Sequence, residues 1–357
     1  MKRIPLSLML TALALSAAWA GLTADSVELT QDLRSSTISA LAKSMTEDYV
    51  FPELGEKAAK DIEARNARKE YDSIKSGEEL AAKLTEHINA ICKDAHFRVR
   101  FSEKPLPARA QRREPSPDEI RKMETFTKRM NGGFEKMERL PGNVGYIEIV
   151  GFMDKAVAAR SAQAAMEWVA DTDALIIDLR RNGGGHPETV QLICSYLFEA
   201  EKPVHLNSLY FRRGDRTEEF WSLKDLPGKR YLNKPVYVLT SKRTGSGAEE
   251  FSYNLKNLKR ATLVGESTWG GANPGGVVRL NDHFSAFIPT GRAINPITKT
   301  NWEGTGVQTD IAVPADQALK VARLEILKAF LSKATDPEDK EWYTNLIKEL
   351  ESSSPPK

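Results

Sequence analysis

Residues 174–179 read Ala-Leu-Ile-Ile-Asp-Leu, and the chain then turns through Arg180, Arg181, Asn182 and three consecutive glycines, Gly183, Gly184 and Gly185. A strand with almost no polar side of its own has to be covered on both faces, the situation of a central strand in a parallel sheet. A helical pattern opens at Pro187, so the segment reads strand, glycine turn, helix. The same grammar returns at 236–240, where an apolar strand is followed by Thr244-Gly245-Ser246-Gly247 and by a helical pattern through Phe251, Leu255 and Leu258. Further strands are expected at 146–150 and 262–264, a helix at 154–169, and a hairpin of 277–280 with 284–288 around Asn281-Asp282. Strands alternating with helices in this way imply an α/β core.

Both glycine-bearing turns carry chemistry. Ser246 stands at a helix N-terminus, where unpaired N–H groups and the helix dipole favour negative charge. Such an elbow suits a nucleophile whose acyl intermediate develops an oxyanion. The plainer alternative is a serine N-cap. The N–H groups of Gly184 and Gly247 together would make an oxyanion hole. A phosphate loop is disfavoured, because neither Gly-x-Gly-x-x-Gly nor Gly-x4-Gly-Lys-Ser/Thr spacing occurs; a plain tight turn stays open. Asp178 and Arg180 are expected to brace the turn.

The N-terminus has the layout of a secretory leader over residues 1–20: Lys2 and Arg3, a short apolar stretch, and Ala18-Trp19-Ala20. Its removal takes two of 51 basic residues and leaves 49 against 49 acidic. That balance argues against nucleic acid or an anionic membrane as partner, and no later segment reads as a membrane span. The expected location is exported, periplasmic or secreted. Cys92 and Cys194 could pair or remain buried thiols. Five dispersed histidines and no Cys/His cluster give a metal little support, and no cofactor is implied. Residues 21–100 read as a small helical bundle ending in an alternating strand at 96–101, 101–141 as a linker or flap, 142–315 as the core, and 316–357 as two amphipathic helices and a tail.

Six motifs occur in an order that resembles the tail-specific (C-terminal processing) serine peptidases, in the branch of the tricorn core and the interphotoreceptor retinoid-binding modules. They are Asp48-Tyr49-Val50-Phe51-Pro52, Asp94-Ala95-His96, the Asp178 to Gly185 turn, the Ser246-x-Ala248-Glu249 elbow, the segment from Gly265 to Gly270, and the segment from Glu303 to Asp310. The resemblance implies a crotonase/Clp-peptidase-like β-β-α core with a helical N-terminal domain. In the tail-specific branch a lysine base follows the Gly-x-x-Thr-x-Gly turn. Here that position is Gly271, and 266–276 contains no lysine. The tricorn-like branch instead implies His96 as base and Glu303 as its orienting partner. It also has serine immediately before the histidine, where this chain has Ala95. The 101–142 interval is too short for the PDZ domain many such peptidases insert. The expected function is therefore an exported serine peptidase acting on peptide or unfolded protein through Ser246, His96 and Glu303. The alternatives are a hydrophobic-ligand binding module and an esterase-like acyl hydrolase.

Overall fold

The computed structural model describes residues 27–107 and 116–352. The leader expected at 1–20, part of the expected linker and the end of the tail fall outside those residues. In chain order the elements are α1 (Gln31–Asp48), α2 (Pro52–Ala67), α3 (Gly77–Cys92), β1 (Arg98–Phe101), α4 (Pro117–Arg129), β2 (Phe134–Leu140), β3 (Val144–Ile149), α5 (Lys155–Val169), β4 (Ala174–Asp178), α6 (Pro187–Ser195) and β5 (His205–Phe211). They continue with β6 (Arg216–Trp221), β7 (Val236–Thr240), α7 (Gly247–Asn257), β8 (Thr262–Gly265), β9 (Gly275–Arg279), β10 (Phe284–Pro289), β11 (Gly291–Ile294), β12 (Ile311–Ala312), α8 (Ala318–Lys333) and α9 (Pro337–Ser352).

The central sheet runs β12-β8-β7-β4-β3-β2, parallel except for the antiparallel β2 edge. All five residues of β4 are buried. Strand alternation sends Leu175 and Ile177 to one face, where they meet α5, α6 and α7 through Met166, Val190 and Phe251. Ala174 and Ile176 go to the other face and meet α8 through Ala318, Ala322 and Ile326. Helix α9 packs on α8 through Leu327, Ile347 and Leu350. Cys194 lies in the first of these cores and Cys92 in the N-terminal one, both as free thiols.

Helices α1 to α3 form the expected bundle. Ser76 caps α3 by accepting the Glu79 N–H at 3.1 Å. The bundle does not close on itself, because its core is completed by Phe284, Ala286 and Ile288 of β10. Strand β10 lies between β1 and β9 in a separate antiparallel sheet. The hairpin expected to belong to the α/β core therefore forms the floor of the helical domain. The Val50 N–H donates to Pro289 O at 2.9 Å, and Arg212 Nη1 donates to Tyr49 O at 2.8 Å across the same boundary.

The segment expected to be a linker or flap, 101–141, carries α4 and β2. Helix α4 opens with a capping box between Ser116 and Glu119. Of its residues only Thr127 is buried, while Ile120, Met123 and Phe126 are 44%, 61% and 56% exposed. Strand β2 is an edge strand that buries only Phe134 and Leu140. Strand β2 has no fully covered face and writes no strong apolar period, while α4 spaces Ile120, Met123 and Phe126 helically but leaves them exposed. A third sheet, β11-β5-β6, was also not expected.

The α1/α2 crossing has no room to spare: a Cβ on Gly55 would stand 2.3 Å from Met45 O. Gly55→Ala is expected to destabilise the fold by about 1–3 kcal/mol through overpacking, read as a lower midpoint in urea unfolding. An unchanged midpoint would mean that the helices can separate freely.

Candidate active site

Ser246 is the N-cap of α7, with φ 51° and ψ −119°. A non-glycine residue does not adopt that conformation without support, and the support is visible. Thr244 Oγ1 donates to Leu179 O at 2.8 Å, Ser241 Oγ donates to Arg180 O at 2.7 Å, and the Gly245 N–H donates to Asn182 O at 3.1 Å. The two glycine-bearing turns are thus laced together. Their approach is so close that a Cβ on Gly184, at φ 109°, would lie 2.8 Å from Ser246 Cβ. Arg180 braces the turn as expected, pairing with the buried Asp178 at 2.6 Å and donating to Ala315 O at 2.7 Å.

Glu249, one turn into α7, is buried behind the elbow. Its Oε2 accepts the Ser246 N–H at 2.8 Å and the Gly271 N–H at 2.9 Å. Its Oε1 accepts the Gly270 N–H at 2.6 Å and the Thr268 hydroxyl at 2.5 Å. Burial pushes this carboxyl up from its ordinary value, and the four donors pull it back toward the charged form. One anion therefore joins the serine elbow to the 268–271 loop.

His96 arrives from the other domain, in the turn between α3 and β1. Its ring stands edge-on to Trp269 with centroids 4.8 Å apart and stacks on Phe287 at 5.7 Å. Trp269 also borders the elbow, since a Cβ on Gly245 would meet its ring at 3.2 Å. No hydrogen bond joins His96 to Ser246 among the described residues, and His96 Nδ1 is buried without a partner. The position of the missing lysine explains itself. A Cβ on Gly271 would lie 2.7 Å from His96 Cε1 and 2.4 Å from the Trp269 ring, so the imidazole fills the space where a side chain at 271 would begin.

Glu303 holds the same loops by their main chain. Its Oε1 accepts the Ala95 N–H at 2.8 Å, and its Oε2 accepts the N–H groups of Ala272 at 2.6 Å and Asn273 at 3.1 Å. Ligand-type atoms of Asp94, His96 and Glu303 lie within 4.8 Å of one another. The N–H and O–H donors converging on both carboxylates put positive ends where a cation would need to sit, so the grouping is built to hold backbone rather than metal. Burial pushes His96 down to about 4. Burial, with Asp94 as the second cause, pushes Glu303 up to about 7.

Of the two expected oxyanion donors, Gly247 has a free N–H at the start of α7. Gly184 does not: its N–H donates to Asn182 Oδ1 at 2.8 Å, because an asparagine side chain readily caps the backbone two residues on. The neighbouring Gly185 N–H takes no acceptor among the described residues, and a Cβ on Gly247 would lie 3.1 Å from it. His186 is exposed, while His87, His205 and His283 bond Tyr71, Ser208 and Ser102. Sequence reasoning assigned no role to Glu249, Trp269 or Asn273. A carboxylate at the third residue of a capped helix was the one signal that could have pointed to Glu249.

Residues 143–313 match peptidase family S41, and residues 22–134 match the N-terminal domain of peptidase S41 in eukaryotic IRBP. The tricorn protease of Thermoplasma volcanium is 33% identical over 135 residues, 38% of this chain and 12% of that protein. A carboxy-terminal-processing protease of Bartonella bacilliformis is 24% identical over 181 residues, 49% of this chain and 40% of that one. The chain thus spans less than half the length of these relatives. Among solved structures, a candidate peptidase from Parabacteroides merdae superposes with TM-score 0.57 at 20% identity, covering 81% of this chain and 92% of its own. A lipoprotein from Streptococcus agalactiae superposes with TM-score 0.51 at 15% identity, covering 83% and 96%; both likenesses bear on the fold alone. The two family matches take in the helical domain and the α/β core in turn, and the chain belongs to peptidase family S41.

Proposed function

We propose that the chain is a serine-type endopeptidase in which Ser246 is the nucleophile, His96 the general base and acid, and Glu303 the residue that secures the His96 turn. The observation that carries this reading is the His96 ring packed over Gly271 and against Trp269, which itself borders the elbow. His96 takes the Ser246 proton as Oγ attacks the scissile carbonyl, and returns it to the leaving amine. The acyl-enzyme is then released by water. Hydrogen bonds of this kind often tighten only with substrate bound. The oxyanion is assigned to the N–H groups of Gly247 and Gly185, the latter replacing Gly184. Burial keeps the imidazole neutral at physiological pH, as a base must be.

An extended peptide is the fitting substrate. Strand β9 is the free edge of its sheet and continues directly from the 270–274 loop. Its Gly276 has open space above it and its Val277 is 70% exposed. Pairing along that edge would supply main-chain hydrogen bonds beside the elbow. Export is inferred from the leader pattern. No helix among the described residues is long and apolar enough to cross a membrane.

A fluorophosphonate probe is expected to label Ser246, with labelling lost in Ser246→Ala and in His96→Ala; labelling that survives both would place the nucleophile elsewhere. Because the His96 and Trp269 rings together occupy the space over Gly271, Gly271→Lys should clash and be inactive. Full activity in that single variant would contradict the packing. As pH falls, protonation removes the base, so the acid limb of kcat/KM is expected near pH 4 rather than near 6.5; a limb at 6.5 would mean a ring open to water.

A further inference from the structure

Asp94 is not a site residue in the reading above, yet it is 1% exposed and fully engaged. Its Oδ1 accepts the His96 N–H at 3.1 Å. Its Oδ2 accepts Asn273 Nδ2 at 2.8 Å and the Tyr49 hydroxyl at 3.3 Å. Its own N–H donates to Asn89 Oδ1 at 3.3 Å. These partners come from both domains: Tyr49 follows α1, Asn89 is in α3, and Asn273 lies in the loop that carries Gly271 into β9.

We propose that Asp94 is a positioning residue for His96, latching the imidazole-bearing turn to the 271–273 loop so that the ring faces the serine elbow. The inference rests on the assignment of His96 as base. Ala95 has no polar atom in its side chain with which to steady the turn. Its main chain is held by Glu303 and the next residue by Asp94, so the two carboxylates grip adjacent N–H groups on one strip of backbone. Asn273 is gripped twice, its N–H by Glu303 and its carboxamide by Asp94. Burial raises both carboxyl groups and Asp94 adds to the cost of ionising Glu303, an arrangement more typical of functional sites than of cores.

The assignment depends on the direction of one hydrogen bond. Asn at position 94 can keep the His96 N–H only by turning its own Nδ2 toward Asn273, which forces the Asn273 carboxamide to turn over onto its unpartnered Oδ1 and removes the charged acceptor that Asn273 Nδ2 and the Tyr49 hydroxyl share. Asp94→Asn is therefore expected to lower kcat about 10- to 100-fold with KM within threefold, measured on a peptide the unchanged protein cleaves and at a temperature where circular dichroism shows the variant folded. Adding Asn273→Asp restores a charged acceptor opposite the new donor and should recover at least half of the loss on a logarithmic scale. If Asp94→Asn does not fold, Asn273→Ala decides: it removes the bond and leaves the Asp94 carboxyl in place, and it should lower kcat severalfold with KM unchanged. A kcat unchanged within twofold, a loss matched by the unfolded fraction, or no recovery in the exchanged pair would each overturn the proposal while Ser246 labelling continues. Absence of labelling and cleavage in the unchanged protein would instead remove the reading of the site itself, and this proposal with it.

Discussion

The site depends on a fully buried carboxylate. Glu249 accepts donors from Ser246, Thr268, Gly270 and Gly271, and so converts two loops that follow different strands into one rigid body. An uncompensated anion in that position would be costly. Four donors make it tenable, and the one from the Ser246 N–H adds to the bonds through Ser241, Thr244 and Gly245 that support the strained Ser246 backbone. The clamp acts beside a direct bond from the Trp269 N–H to Thr244 O at 3.0 Å, and together they hold Trp269 against the elbow, where His96 packs on it. A serine at a positive φ is only as well placed as the structure that forces it there.

His96 comes from a domain with its own hydrophobic core, which raises the question of what keeps it in register. The division between domains does not follow the chain. Strand β10, late in the sequence, completes the core of α1 to α3, and β9 runs from the catalytic loop onto the same sheet. The turn bearing His96 leads directly into β1, which pairs with β10 residue by residue from Arg98 with Phe287 to Phe101 with Phe284. Phe287, whose ring stacks on His96, therefore sits in the register that fixes the first residue of β1. Apolar burial places the histidine coarsely, sheet pairing places it along the strand, and the carboxylates Asp94 and Glu303 set the turn itself.

The parts legible in the sequence are those where one local rule dominates. A strand covered on both faces shows as the unbroken 174–179 run, and a glycine pinched between two backbones shows as Gly184 or Gly247. The parts that stayed hidden are settled by partners far away in the chain. Strand β2 alternates charge over an exposed face and is a strand only because β3 lies beside it. Helix α4 buries almost nothing. The engagement of Gly184 turned on which way the Asn182 carboxamide pointed, and spacing carries no information about that. Trp269 looked like one letter of a motif, and its contact with His96 depends on a pairing between residues more than 170 positions apart.

Burial of the ionisable groups sets the site's response to acid and base, and the two main effects oppose each other. His96 is held below its ordinary value, at about 4. The buried ring costs nothing extra above pH 6.5, where it is neutral folded or unfolded, and costs progressively more as pH falls from 6.5 toward 4. Glu303 is held above its ordinary value, at about 7. Its burial costs nothing extra below about 4.5, where the carboxyl is protonated in either state, and costs more as pH rises from there to 7. Between these limits one penalty grows while the other shrinks, so His96 and Glu303 oppose each other, while Asp94 and Glu249, also raised by burial, add to the carboxyl side.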